Sequence, residues 1–300
     1  MRVSTSMMQR LAVEAMLTRQ RDLSETQLQL ATGRRILRPS DDPSGSAQAL
    51  SLAQEVDLTE QFQRNGSNAL SRLQIEEGVL VAVGDSLQRI RELAVQGLND
   101  SLGPEDRVSV ATEVRQRLDE LLQLANSKDG NGEYLFSGFK GHTQTVVDAG
   151  GGVFVYQGDQ GQRHLQISPT RQVPVSDTGF DIFMNLPHSS GGNQDVFTTV
   201  YDFAVALEAN APPDEILADI DAALENMFTV RAEIGSRLNA VESQEQINEE
   251  YMLQLQGAMS DIQDLDYAEA IGEFNLQLTG LQAAQQSFQR VQSLSLFNFL

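Results

Sequence analysis

The sequence predicts a mainly α chain with an inserted small β domain. Long coiled-coil-like helices stand at both ends, a helical bundle forms the body, and an antiparallel β domain lies outermost. Three observations carry this. Apolar residues recur every seven positions in both flanks. Ten of the 23 glycines fall within residues 138–192. The flanks on either side of that stretch read as helix, the pattern of a domain inserted into a body whose ends return to each other.

Along the chain, Met16, Leu23, Leu30 and Leu37 lie seven apart, with Gln20, Gln27 and Arg34 at the four-residue offset. Pro39 to Gly45 then breaks the pattern. Asp42 is a natural N-cap and Pro43 a natural first residue of the next helix, with Leu50, Ala53 and Val56 inward. A further stripe runs Leu73, Leu80, Leu87, Ala94, with Val83 and Ile90 between its members. Gly103-Pro104-Glu105 restarts a helix with Ala111, Val114, Leu118, Leu121 and Ala125 inward, ended by Asp129-Gly130-Asn131-Gly132.

The Gly-rich middle predicts strands at Val153–Tyr156 and His164–Ile167, joined as a hairpin through Gly158–Gln162. Val173–Val175 and Phe180–Phe183 are candidates for two more strands. A helix at Val196–Ala209 leads back to the body. A long helix starts near Asp214. Its seam is Ile220, Met227, Ile234, Val241, Asn248, Leu255 and Ile262, with a polar residue at Asn248. The register slips across Asp261–Asp266. A new series, Tyr267, Phe274, Leu281, Phe288, then faces a different partner. These breaks divide the chain into residues 1–42 with 262–300 as a terminal helical domain, 43–137 with 194–261 as the body, and 138–193 as the β insert.

Composition narrows the function. Forty-two acids oppose 21 bases, a net charge of −21, which repels nucleic acid and anionic lipid. There is no Cys, hence no disulfide, thiolate nucleophile or Cys–metal site. No apolar run approaches the ~18–20 residues of a membrane helix, and the N-terminus turns polar too early for a secretory signal. The ordinary signals alone describe a soluble, cytoplasmic protein.

No catalytic, cofactor or metal constellation is expected. His142, His164 and His188 lack metal-pair spacing and read as turn or solvated residues. Gly150-Gly151-Gly152 lacks the strand–helix context of a nucleotide site. Asp41/Asp42 fit a cap, and Glu76/Glu77 and Glu249/Glu250 fit solvated helix faces. Gly158-Asp159 supplies too few oxygens for calcium.

The two ends are opposite in charge. Residues 1–40 carry seven Arg and three acids, and residues 258–300 carry one Arg and five acids. Exposed pairs contribute ~0.2–1 kcal/mol each, which orients pairing without holding it. One strong apolar residue per heptad buries too little to offset ~1–2 kcal/mol of backbone entropy per residue. The ends are therefore expected to be largely disordered alone and to fold on meeting other copies. The alternative is an antiparallel helix hairpin that closes the monomer.

Several motifs resemble bacterial flagellin and the flagellar hook-associated proteins. Gly33-Arg34-Arg35-Ile36 through Ser40-Asp41-Asp42-Pro43-Ser44-Gly45 is similar to the family's first turn. Arg107–Leu118, Asn126, Asn131-Gly132 and Tyr134–Gly138 resemble its helix-to-hairpin segment. Asp264–Ala268 and Leu294–Leu300 resemble its C-terminal signature. Within the family, Leu276–Gln286, the Leu-Phe-Asn-Phe-Leu end and Tyr156–Gln162 favour the member at the hook–filament junction. The filament subunit flagellin is the runner-up, and a secreted adhesin using the β insert is a rival of another class.

The resemblance implies a structural subunit and no enzyme. It also implies type III flagellar export without a cleaved signal, which revises the location to the extracellular flagellum. The implied partners are further copies in a ring, hook-associated protein 1, flagellin, and an export chaperone that shields Tyr267–Leu300, where Phe274, Phe288, Phe297 and Phe299 would otherwise be exposed. Nucleic acid and membrane insertion are not expected. Met16, Leu23, Leu30, Leu37, Phe274, Leu281 and Phe288 are the candidate assembly seam.

Overall fold

The structure is a computed structural model that describes residues 5–293. Among them are six α-helices: α1 (Thr5–Thr32), α2 (Pro43–Gly97), α3 (Pro104–Ala125), α4 (Val196–Glu208), α5 (Ile216–Gln263) and α6 (Tyr267–Ser293). Three antiparallel strand pairs lie between α3 and α4 in the chain: β1 (Val146–Asp148) with β2 (Phe154–Tyr156), β3 (His164–Ser168) with β4 (Arg171–Pro174), and β5 (Leu186–Pro187) with β6 (Asn193–Gln194). None of the described helices is long and apolar enough to cross a membrane. The chain divides into two compact units. One takes in both ends, up to Leu58 and from Tyr251 onward, and the other is Thr59–Glu250.

The Thr59–Glu250 unit owns a continuous core. Leu73, Leu80, Val83, Leu87, Ile90 and Ala94 of α2 are buried, as are Ala111, Val114, Leu118, Leu121 and Ala125 of α3. The seven-residue seam of α5 is buried from Ile220 through Val241. Strand and loop residues join the same core: Phe136 meets Phe183 edge-on at 5.5 Å between ring centres, and Phe183 meets Phe197 at 5.7 Å. Asn126, just past α3, pairs its side-chain amide with both backbone groups of Val146, at 2.9 and 3.0 Å, and so seats β1.

Two buried polar residues here tie elements together. The Arg107 guanidinium donates to the carbonyls of Gly97 and Asn99 and to Asn210 Oδ1, joining the ends of α2 and α4 to α3. Asn248 is the polar member of the α5 seam. Its amide donates to the Ile167 carbonyl (3.0 Å) and its oxygen accepts from Gln244 (3.0 Å), so it pins β3 to α5.

The middle differs from the sequence expectation in two places. β2 and β3 do not form a hairpin. They pair with β1 and β4 instead, because Asp159 draws the Gly158–Gln162 loop toward Phe139. Its carboxylate accepts from the Phe139 and Gly161 N–H groups (2.8 and 2.9 Å), which prevents the tight turn. Phe180–Met184 is a single π-helical turn rather than a strand, and its buried Ile182 and Phe183 face the core.

In the other unit, Leu50 is exposed, contrary to the expected stripe, while Ala49 and Val56 are buried. The inward face of α2 therefore steps from Ala49 through Leu52 to Val56, the 3–4 spacing of a helix face.

Glu76 of α2 is buried, and its Oε1 accepts the Asp177 N–H at 3.0 Å. This replaces the solvated helix face expected for it. Burial first, then the Asp177 charge, push its carboxyl up to about 8 from 4.5, against the Asp177 N–H, Arg237 and Arg72. The folded state then holds a proton that the unfolded state releases. The stability from this group is complete below about 4.5 and is lost as pH rises through about 8. Glu76→Gln should remove up to ~1.4 kcal/mol per pH unit from the slope of unfolding free energy across that window. Urea unfolding over a pH series checks this, and an unchanged slope would contradict it.

Candidate assembly interface

The end unit is organised around a clamp between two segments about 230 positions apart. α1 stops at Gly33, whose φ of +70° is a left-handed conformation open to glycine. The chain reverses there and forms an antiparallel bridge between Arg34 and Asp264. The Arg35 N–H donates to the Gln263 carbonyl at 2.7 Å, and the Leu265 N–H donates to the Gly33 carbonyl at 3.0 Å. The Arg35 guanidinium donates to the Ile262 carbonyl (2.8 Å) at the end of α5 and reaches Asp42 at 3.4 Å. The Gln29 amide donates to the Arg35 carbonyl at 2.9 Å.

Two aspartates start the helices that leave the clamp. The Asp42 carboxylate accepts the Gly45 N–H at 2.9 Å before α2. That hydrogen bond, more than the neighbouring Arg35, holds its carboxyl below the ordinary value. Asp266 Oδ1 accepts the Ala268 and Glu269 N–H groups (2.8 and 3.2 Å) before α6. The register slip read at Asp261–Asp266 is thus a helix end, the clamp strand and a new helix.

From the clamp, α1 and α6 pair antiparallel. The contacts run from Gly33 with Tyr267, to the Thr26 hydroxyl donating to Gln277 Oε1 at 3.1 Å, to Arg19 beside Gly280. The structure therefore takes the alternative offered above: the ends pair within one chain rather than standing without order. The clamp supplies the fixed starting point that stripe burial alone does not.

Met16, Leu23 and Leu30 share a helix face with Arg19 and Thr26, and Phe274, Leu281 and Phe288 share one with Gln277. All six are half-buried. Leu37 is not part of the α1 stripe. It lies beyond Gly33, half-buried, and lines a cleft of about 350 Å³ with Leu28, Arg21 and Arg38. Counting by sevens ran through a chain reversal. Leu294–Leu300, with Phe297 and Phe299, lie outside the described residues.

A second apolar set went unread in the sequence. Leu11, Leu17 and Leu28 on α1 are 49–54% exposed, and Ile271 and Leu276 on α6 are 51% and 74% exposed. They fall off the seven-residue series, and that offset was the available signal.

The histidines are held locally. His188 Nε2 lies 3.3 Å from Asp219 Oδ2, and its Nδ1 lies 2.7 Å from Ser190 Oγ. The same Nδ1 accepts the Ser190 N–H at 3.2 Å, and Asp219 also accepts from the Ser189 N–H (2.7 Å). The cluster fastens the β5–β6 turn to α5.

Gly33→Ala forces a Cβ into the left-handed region and to within 2.8 Å of the Tyr267 hydroxyl. It should destabilise the α1–α6 pair by about 1–3 kcal/mol. Amide exchange should quicken in α1 and α6 and stay unchanged in α3. Equal protection of wild type and variant would contradict the clamp.

Comparison with known proteins adds to this geometry. Residues 3–141 match the bacterial flagellin N-terminal helical region, and residues 217–300 match the bacterial flagellin C-terminal helical region. Flagellar hook-associated protein 3 of Escherichia coli strain K12 is 31% identical over 316 aligned positions, covering 99% of each chain. A flagellin of Treponema pallidum is 28% identical, covering 85% of this chain and 86% of its own. The crystal structure of flagellar hook associated protein-3 from Legionella pneumophila superposes with a TM-score of 0.66 at 25% identity, covering 70% of this chain and 98% of that one. Matched at both ends and aligned almost end to end with a hook-associated relative, the chain belongs to the bacterial flagellin and flagellar hook-associated protein family.

Proposed function

We propose that the chain is a structural subunit of the hook–filament junction and not an enzyme, a reading supported by its end-to-end match with a flagellar hook-associated protein 3. The observation that carries this is the unfinished α1–α6 pair. It is fastened by the clamp and half-buried along its seam, yet it exposes Leu11, Leu17, Leu28, Ile271 and Leu276. Exposed Leu and Ile side chains along both helices fit a pair that is completed by neighbouring copies. Met16, Leu23, Leu30, Phe274, Leu281 and Phe288 hold the pair, and the exposed set meets the neighbours. Leu37 lies beside that set.

In this reading residues 1–42 with 262–300 form the assembly layer. Residues 43–137 with 194–261 form the body, and 138–193 face outward. Copies close into a ring between hook-associated protein 1 and the first flagellin subunits. The chain reaches the extracellular flagellum through the type III apparatus, which suits a protein without Cys. An export chaperone covering Tyr267–Leu300 would shield Tyr267, Ile271 and Leu276, all more than half exposed. Flagellin is the second reading, and the match over 85% of this chain favours it less than the end-to-end match with hook-associated protein 3.

A deletion strain should keep its hooks, lack filaments and shed unpolymerised flagellin, as seen by electron microscopy and assay of the medium. Filaments on the deletion strain would overturn the junction role. Leu276→Asp should leave melting of the purified chain within about 0.5 kcal/mol of wild type and still fail to restore filaments. Leu281→Asp should fail too, while loosening the α1–α6 pair by about 1–3 kcal/mol. Normal filaments from either variant would contradict the assigned faces.

A further inference from the structure

A cleft of about 780 Å³ lies in the Thr59–Glu250 unit, where α2 faces the 129–131 turn and β3. Its volume is in the range of small-molecule sites, ~300–1,000 Å³, and nothing in the assembly role uses it.

One wall is an aromatic platform. The Phe139 ring is 64% exposed and lies against Gly161, where any Cβ would collide with it. Asp159 fixes both pieces, since one carboxylate oxygen accepts the Phe139 and Gly161 N–H groups. The backbone that carries the ring is thus fixed on both sides of the contact.

The opposite requirement, a cationic anchor, is met by Arg163. Its Nη1 pairs with Glu133, which leaves Nε and Nη2 without a hydrogen-bond partner among the described residues. Its side chain is 29% exposed, and its backbone is held through the N–H to Ser176 Oγ at 3.0 Å. Arg72 pairs with Asp129 at 2.7 Å and so positions the turn that closes the cleft.

Between platform and anchor, the side chains of Asn68, Ser71 and Asn131 line the cleft, and among the described residues they make no hydrogen bond. Ile75, Leu165 and Val175 supply apolar surface.

The charge around the cleft is also unlike that of the chain. Residues 128–175 hold four acids and four Lys or Arg, including both lysines of the protein, while the whole chain carries −21. An anion meets less repulsion here than the net charge of the chain implies.

We propose that this cleft binds a carboxylate-bearing sugar, a uronic or sialic acid residue. The carboxylate sits on the free edge of Arg163. The apolar face of the sugar ring lies on Phe139, and its hydroxyls meet Asn68, Ser71 and Asn131. A bare phosphate would leave the platform unused, and a neutral sugar would leave the guanidinium unmet. The free acid and the terminal residue of a glycan present the same chemistry.

The full chain, titrated by calorimetry with glucuronate, N-acetylneuraminate, glucose and acetate, tests this. An oligosaccharide ending in N-acetylneuraminate separates the two sources by which form binds more tightly. Both acids should bind, and glucose and acetate should bind at least about tenfold more weakly. Phe139→Ser and Arg163→Gln should each weaken binding of the acids about tenfold or more. Phe139 is exposed, so its variant keeps the wild-type melting curve even if Arg163→Gln disturbs Glu133. No heat with either acid, acetate binding as tightly as the sugar acids, or Phe139→Ser binding as wild type would overturn the site.

Discussion

Apolar side chains are scarce on the facing sides of α1 and α6, and that scarcity governs how the end unit is held. A helix that stands alone on a globular core presents three to four apolar residues per two turns. These helices present about one strong residue in that length, and the six that pair are only half-buried. Burial this thin gives a weak grip per turn. What fixes the pair is conformational and polar: a left-handed glycine, a two-hydrogen-bond bridge and an arginine that closes the end of α5. Backbone bonds set register where side chains are too few to set it.

The Thr59–Glu250 unit is built the other way. Its α2 and α5 stripes are sealed almost completely from water, and its buried polar side chains, Arg107 and Asn248, are spent on backbone carbonyls. One chain thus carries a self-sufficient body and a deliberately incomplete end pair. That division of packing quality suits the proposed assembly through chosen faces.

The sequence disclosed these layers unequally. Seven-residue spacing located the buried faces of α2, α3 and α5, because dense stripes have one geometric solution. Asn248 looked like a defect in the seam, and only the approach of β3 reveals it as an anchor. Leu37 was misplaced because periodicity carries no record of the reversal at Gly33. The β2–β3 hairpin failed for a related reason. Gly158–Gln162 has turn composition, but the Asp159 carboxylate is spent on Phe139, twenty residues earlier. The Arg34–Asp264 bridge joins positions that no local pattern connects. The two motifs looked like separate signatures and are two strands of one clamp.

The antiparallel geometry gives the clamp a further consequence. Both helices leave it in the same direction, so the bridge sets the register of the pair toward the chain ends. Each added turn meets a partner already brought close, and the entropy of closing the long loop is met once, at the bridge. Thr26 with Gln277 is the next polar check on register, and Arg19 beside Gly280 comes after it. Polar contacts are enough for that purpose because alignment needs direction more than strength. The Leu and Ile side chains left outside then stand along both helices at positions fixed from the bridge outward. In the proposed assembly, a neighbouring copy meets a surface whose spacing was set before contact, so less ordering remains to oppose association.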